Sequence, residues 1–141
     1  MRKIYLASAA LILLTSTQAV MAENATVTAR STAYDPIVVF IEPGDTVVWT
    51  SMAGHNSVTI PELIPDGAEG FNIPMGENGS ATLEQEGVYV YKCEPHFAMG
   101  MGGAIVVGNP GNFEDVKANA KGMAKRIVIK TQKALEEKGM L

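Results

Sequence analysis

Between residues 26 and 107 the sequence alternates short runs of β-branched and aromatic residues with turn signals, and no helical period interrupts them. The run at 37–41 is closed by Glu42-Pro43-Gly44-Asp45, where proline's fixed φ and glycine's free one both suit a turn. Residues 46–50 resume the strand pattern. The stretch 61–79 carries Pro61, Pro65, Gly67, Gly70, Pro74, Gly76 and Gly79, so it is expected mostly as loop with one short helical turn. Runs at 81–83, 88–93 and 104–107 follow, the last stopped by Gly108-Asn109-Pro110. Strands of this length and spacing predict an all-β fold, an antiparallel Greek-key sandwich.

The two ends of the chain read differently. Residues 113–120 are weakly helical and Gly122 interrupts them. Residues 124–138 then carry strong helix formers with an apolar stripe at Ala124, Ile127, Thr131 and Leu135, near i, i+3, i+4 spacing. Two short C-terminal helices within 111–138 are expected to pack on the outside of one sheet, lysines toward water. At the other end, Met1-Arg2-Lys3 is basic and residues 4–14 are almost entirely apolar. Val20-Met21-Ala22 puts small or modest side chains where a signal peptidase reads. The apolar run is shorter than the roughly 20 residues that span a bilayer. Residues 1–22 are therefore expected to be a cleaved signal peptide, an uncleaved anchor being the alternative. Residues 23–141 are expected to form a single exported domain, of ordinary domain size.

Charge excludes one class of partner. The chain has 11 basic and 15 acidic residues, net −4. Without residues 1–22 the net charge is −6, with no basic tract of the kind that phosphate binding needs. Residues 23–116 hold only Arg30 and Lys92 against 13 acids, while 117–138 hold seven bases against Glu136 and Glu137.

The lone cysteine carries the chemistry. Cys93 cannot close an internal disulfide, and an exported thiol is oxidised or paired between chains unless something occupies it; an inert buried thiol is the bland alternative. Cys93-Glu94-Pro95-His96-Phe97-Ala98-Met99-Gly100-Met101 spaces a thiolate, an imidazole and a thioether as C-x2-H-x4-M, and Gly54-His55-Asn56 supplies the other of the chain's two histidines. Cys93 is expected to end a strand, with Gly100, Gly102 and Gly103 bending the loop before the strand at 104–107. The set matches the known donors of blue copper, two His and one Cys in a plane with a weak axial Met. The expected ligands are His55, Cys93, His96 and Met101, with Met99 a rival for the axial place. Zinc could accept two His and a Cys, but it does not call for a thioether.

At these residues the chain resembles the cupredoxins. Glu42 to Trp49, Gly54-His55-Asn56 and the loop 93–101 carry the resemblance, and the loop spacing narrows it to pseudoazurins and plastocyanins. The helical tail, Ile64-Pro65-Asp66-Gly67-Ala68-Glu69 and Pro95 to Met101 are similar to pseudoazurin. The resemblance implies an eight-stranded sandwich with two C-terminal helices, one type 1 copper per chain, and single-electron transfer in the periplasm, commonly to copper nitrite reductase. It also implies that Asn56 bonds near the thiolate and ties the two ligand segments, and that Pro95 spares the sulfur a donor. Two positions depart from the family: Ser51-Met52-Ala53 lacks the usual lysine before Gly-His-Asn, and Glu94 stands where Ser or Thr is usual.

The expected function is a monomeric electron shuttle and not an enzyme, with His96 as the exit and Phe97, Ala98 and Met99 forming a small apolar docking patch. An enzyme would need an open metal position or further histidines, and none are spare. A copper chaperone or storage protein is the alternative, told apart by colour. If the charge along the chain maps onto space, the copper end is acidic or near neutral. It then prefers a basic or apolar partner such as a c-type cytochrome, unless Lys92 and the C-terminal bases fold back beside the loop.

Overall fold

The computed structural model describes residues 21–141. The expected signal peptide therefore lies outside the described residues except for Met21 and Ala22. Among the described residues there are nine strands: β1 (Asn24–Ala29), β2 (Tyr34–Asp35), β3 (Val38–Ile41), β4 (Thr46–Thr50), β5 (Ser57–Thr59), β6 (Asn72–Ile73), β7 (Gly79–Thr82), β8 (Gly87–Lys92) and β9 (Gly102–Val107). Two helices follow, α1 (Phe113–Asn119) and α2 (Ala124–Glu137). The strands form one sheet in the order β2-β1-β4-β7 and another in the order β3-β9-β8-β5-β6, the crossed connections of a Greek-key sandwich.

The pairing is mixed rather than antiparallel throughout, because β1 runs parallel to β4 and β3 parallel to β9. Each of these pairs joins strands whose connection crosses between sheets, which a linear reading of turns does not reveal. The short strands β2, β5 and β6 have too few residues to show a period, and the sequence pattern passed over them.

Alternation along β1 and β4 turns Val27, Ala29, Val47 and Trp49 inward, where they meet Tyr89, Tyr91, Ile105 and Val107 from the facing sheet. β9 is buried along its whole length and β8 nearly so. One face of these strands belongs to the sandwich interior. The other face, Val88, Val90, Ala104 and Val106, is covered by Phe113, Val116, Ile127, Val128 and Leu135 of the helices. A strand covered on both faces reads as a continuous apolar run, which is how 104–107 reads.

The α2 stripe is buried as expected, and the Thr131 hydroxyl donates to the Ile127 carbonyl at 2.9 Å, so its burial leaves no polar group unpaired. Two contacts fix the direction of this helix. Ile127 lies against Gly102 at the start of β9, and the Lys138 ammonium sits 5.0 Å from the Phe40 ring in β3. α2 therefore starts beside the 93–101 loop and ends at the opposite end of the sandwich.

Candidate metal centre

Three ligand candidates converge at one end of the sandwich. Cys93 follows β8 directly, so its backbone is held by the most buried strand pair. Its Sγ lies 3.7 Å from His55 Nδ1 and 3.5 Å from His96 Nδ1, and the two imidazole nitrogens are 3.2 Å apart. A point equidistant from these three atoms is about 2.0 Å from each, the length of a metal–nitrogen bond and slightly short of a metal–sulfur one. Two nitrogens and a sulfur aimed at a common centre fit a metal ion and would otherwise crowd one another. Among the described residues, this is the group of His, Cys, Asp and Glu side chains arranged to hold one. Burial is the main cause lowering the His55 pKa, with His96 nearby adding to it, so both favour the neutral imidazole that a metal requires.

Met101 is fully buried in the same core cluster as Cys93, whereas Met99 is 58% exposed on the outside of the loop. The loop closes on itself through backbone bonds. Cys93 N–H donates to Met101 O at 3.0 Å, and Met101 N–H to His96 O at 3.2 Å. Residues Glu94–Met99 form a 3-10 turn that the sequence pattern did not disclose, ended by Gly100 at φ +89°, a left-handed value that favours glycine. Gly102 and Gly103 play another role than the one expected. They belong to β9, where a Cβ on Gly102 would lie 2.3 Å from Ile127 Cδ1 and one on Gly103 2.5 Å from Tyr91 Oη. They permit close packing, not bending.

His55 arrives from the turn before β5. Its N–H donates to Met52 O at 2.9 Å, its carbonyl accepts from Gly76 N–H at 2.8 Å, and the residue is 8% exposed. Asn56 ties this segment to the loop. Its Nδ2 donates to Glu94 Oε2 and its Oδ1 accepts from Glu94 N–H, both at 2.8 Å. The tie that the resemblance implies is present, and Glu94 supplies both halves of it. Tyr34, from β2, donates its hydroxyl proton to the Asn56 carbonyl and accepts from Ser57 Oγ at 2.7 Å. Burial pushes the Tyr34 hydroxyl pKa strongly upward, so it stays a donor. The sequence held no signal for Tyr34, because a two-residue strand gives no pattern.

His96 is partly exposed, beside partly buried Phe97 and exposed Ala98 and Met99. The Lys92 ammonium lies 5.7 Å from the Phe97 ring. On the helix side, Arg126 and Lys130 share a depression with Met99, Gly100 and Gly102, and Lys121 shares one with Lys92 and Phe97. Of the seven C-terminal bases, Lys121, Arg126 and Lys130 therefore do fold back beside the ligand loop, which is the exception to the expected acidic or near-neutral copper end. The charge count along the chain missed it because α2 begins at that end.

Comparison with known proteins agrees with this geometry. The family described as copper binding proteins, plastocyanin/azurin family, matches residues 21–108. A pseudoazurin of Methylorubrum extorquens is 38% identical over 87 residues, which cover 60% of this chain and 59% of that protein. One of Paracoccus pantotrophus is 37% identical, again over 59% of its length. The matched stretch thus spans about three-fifths of these relatives. Among solved structures, a Sinorhizobium pseudoazurin superposes with a TM-score of 0.71 at 39% identity, covering 77% of this chain and 92% of that one.

Proposed function

The chain belongs to the plastocyanin/azurin family of copper-binding proteins, and from that premise we propose that it is a periplasmic electron carrier holding one type 1 copper through His55, Cys93, His96 and Met101. The observation that carries this is the convergence of one thiol and two imidazole nitrogens within 3.7 Å of one another. Copper held by these residues would supply the one-electron chemistry as a Cu(II)/Cu(I) couple. The protein's part is to keep the donors fixed. Cys93 and Met101 are anchored by the β8–β9 pair, and His55 and Asn56 by Glu94, Tyr34 and Gly76. A donor set that need not move between oxidation states keeps the reorganisation small.

His96 is the exit for the electron, since its ring is the ligand that reaches the surface. Phe97, Ala98 and Met99 form the apolar docking patch and Lys92, Lys121, Arg126 and Lys130 its basic flank. Such small patches suit the weak, brief encounters of redox partners. With this flank the partner is a redox protein presenting an acidic rim, copper nitrite reductase or a c-type cytochrome with such a face. Residues 1–22 direct export and are removed, and no helix among the described residues is long and apolar enough to cross a membrane. The carrier works as a monomer. Full burial of Cys93 and Met101 favours retention over the hand-off a chaperone needs.

The test is to load the processed protein with copper and record optical and electron paramagnetic resonance spectra. An intense thiolate charge-transfer colour is expected, lost in Cys93→Ser. A variant that stays intensely coloured would refute the ligand set. Met101→Gln should shift spectrum and potential strongly and Met99→Gln weakly; the reverse order would make Met99 the thioether ligand.

A further inference from the structure

At the end of the sandwich away from the ligands, the backbone nitrogen of Glu23 lies 2.8 Å from Asp45 Oδ1. The other carboxylate oxygen of Asp45 accepts from Glu42 N–H at 2.9 Å, and Asp45 is only 8% exposed. The Glu23 carbonyl is fixed as well, accepting from Thr46 N–H at 3.0 Å, where the parallel β1–β4 ladder begins with Asn24 opposite Thr46. Glu23 is also the residue that follows Ala22, the expected processing site. Before cleavage its nitrogen is a neutral amide with one N–H. After cleavage it is an amine.

We propose that Asp45 is a built receptor for the α-ammonium of Glu23, so that removal of residues 1–22 creates an ion pair that fastens β1 to the start of β4. The proposal rests on reading residues 1–22 as a cleaved signal peptide. In the step itself, a signal peptidase adds water across the Ala22–Glu23 peptide bond. Ala22 leaves as a carboxylate on the released peptide, and Glu23 keeps the nitrogen. That amine takes up a proton at neutral pH, because an α-amino group ordinarily titrates near 7.7–8.0. One N–H replaces the amide donor toward Asp45 Oδ1, and the other two are left to solvent, Glu23 being exposed at the rim of a depression it shares with Glu42, Gly108, Lys138 and Met140.

The surroundings favour the charged form. The hydrogen bonds from Glu23 and Glu42 already hold the Asp45 carboxyl below the usual carboxylate range, so it is an anion before the cut. The other charged groups facing the site are the side chains of Glu23 and Glu42, Glu84 beside Gly44, and Lys138 from the end of α2. Acids outnumber the single base, so the local field draws an ammonium inward. Because Asp45 is aimed by the turn it closes, no side chain need reorder when the charge appears.

The test uses the full chain, exported and purified. Intact mass should give a mature protein beginning at Glu23. Nuclear magnetic resonance titration should place its α-amine above the ordinary range, and above that of a glycine-insertion variant. A raised folded pKa means stabilisation that is complete below the ordinary α-amino range, as long as Asp45 stays ionised, and lost as pH rises through the folded value. The comparison is a chain with one glycine inserted between Ala22 and Glu23, which keeps Asp45 but moves the amine away. Its Tm should be lower by about 2–4 °C at pH 7 and equal to that of the parent once the amine is neutral. Asp45→Asn should return the α-amine to the ordinary range. A different mature end would overturn the processing reading and the ion pair with it. A chain that does begin at Glu23, but whose amine titrates as in the insertion variant, would leave processing standing and overturn the ion pair alone.

Discussion

The two ends of the sandwich, about 16 Å apart along β4, solve different problems with the same strands. At the ligand end, loops from the ends of β4, β8 and β9 are bound together by side chains, Asn56 with Glu94 and Tyr34 with Asn56, and one flank carries Lys92, Lys121, Arg126 and Lys130. At the opposite end Glu23, Glu42, Asp45, Glu84, Glu86 and Asp115 gather around the turns. The difference teaches that a charge count along a chain is not a charge map. α1 begins with its acids at the far end, and α2 begins with its bases at the near end. A chain that is acidic overall thereby shows a basic flank beside its metal site.

The largest effect expected separates stability from chemistry. Leu135 is fully buried beneath α2 toward the far end, so Leu135→Ala should cost about 2–5 kcal/mol in denaturant unfolding. Spectrum and potential of the copper-loaded protein should stay as they are. A shifted potential would mean that the helix layer shapes the ligand loop, and the division between the two ends would fail.

Next comes the tie at the ligand end. Asn56→Ala removes two hydrogen bonds, one of them to a carboxylate, and leaves Glu94 N–H without its side-chain acceptor, for about 2–3 kcal/mol. It should also broaden the copper spectra, because His55 and Cys93 lose their shared brace. Glu94→Gln keeps an oxygen to accept from the Asn56 amide and should cost about 1 kcal/mol or less. Equal losses from the two substitutions would show that the carboxylate charge, not the bracing, is what matters.

The convergence of Cys93 and His96 was legible in sequence, because they sit three positions apart at the end of a strong strand; Met101 stays a proposed ligand, buried in the same cluster as Cys93. His55 was legible because the chain has only two histidines and because Gly54-His55-Asn56 carries a resemblance. The helical stripe Ala124, Ile127, Thr131 and Leu135 was legible because a 3.6-residue period is a strong signal over four turns. Tyr34, the parallel pairs and the basic flank were not. The first two depend on which strand end lies beside which, set by crossings between the sheets, and the flank depends on the end of the sandwich at which α2 begins. Nothing in the local pattern of residues 34–35 reports that the Tyr34 hydroxyl meets Asn56, 22 positions away.

A smaller effect tests the charge map through kinetics. Arg126→Glu combined with Lys130→Glu should slow electron transfer to an acidic-faced partner by about tenfold at low salt. The difference should shrink as salt shortens the reach of the field to about 8 Å or less. Lys138→Glu changes charge by the same sign at the far end and should leave the rate nearly unchanged. If Lys138→Glu slows transfer as much as a near-end substitution does, net charge rather than the flank steers the encounter.

The smallest effect concerns acid stability at the far end, measured on the metal-free protein. Backbone hydrogen bonds from Glu23 and then Glu42 hold the Asp45 pKa below that of the unfolded chain, about 3.9. As pH falls the unfolded chain therefore binds this proton first. The stabilisation is complete above about pH 5 and lost as pH drops through the folded-state value. Asp45→Asn cannot titrate, and its amide has one accepting oxygen for two N–H donors, so it should melt lower than the parent near neutrality. The gap in Tm should stay constant from about pH 7 to 5 and close below about pH 4. Glu23, Glu42, Glu84 and Lys138 face the site in both proteins, so their contributions cancel in the difference. A gap that persists unchanged to pH 2 would mean that the Asp45 carboxylate charge contributes nothing. The turn would then be held by shape alone, and the far end would lose its claim to be an electrostatic counterpart of the ligand end.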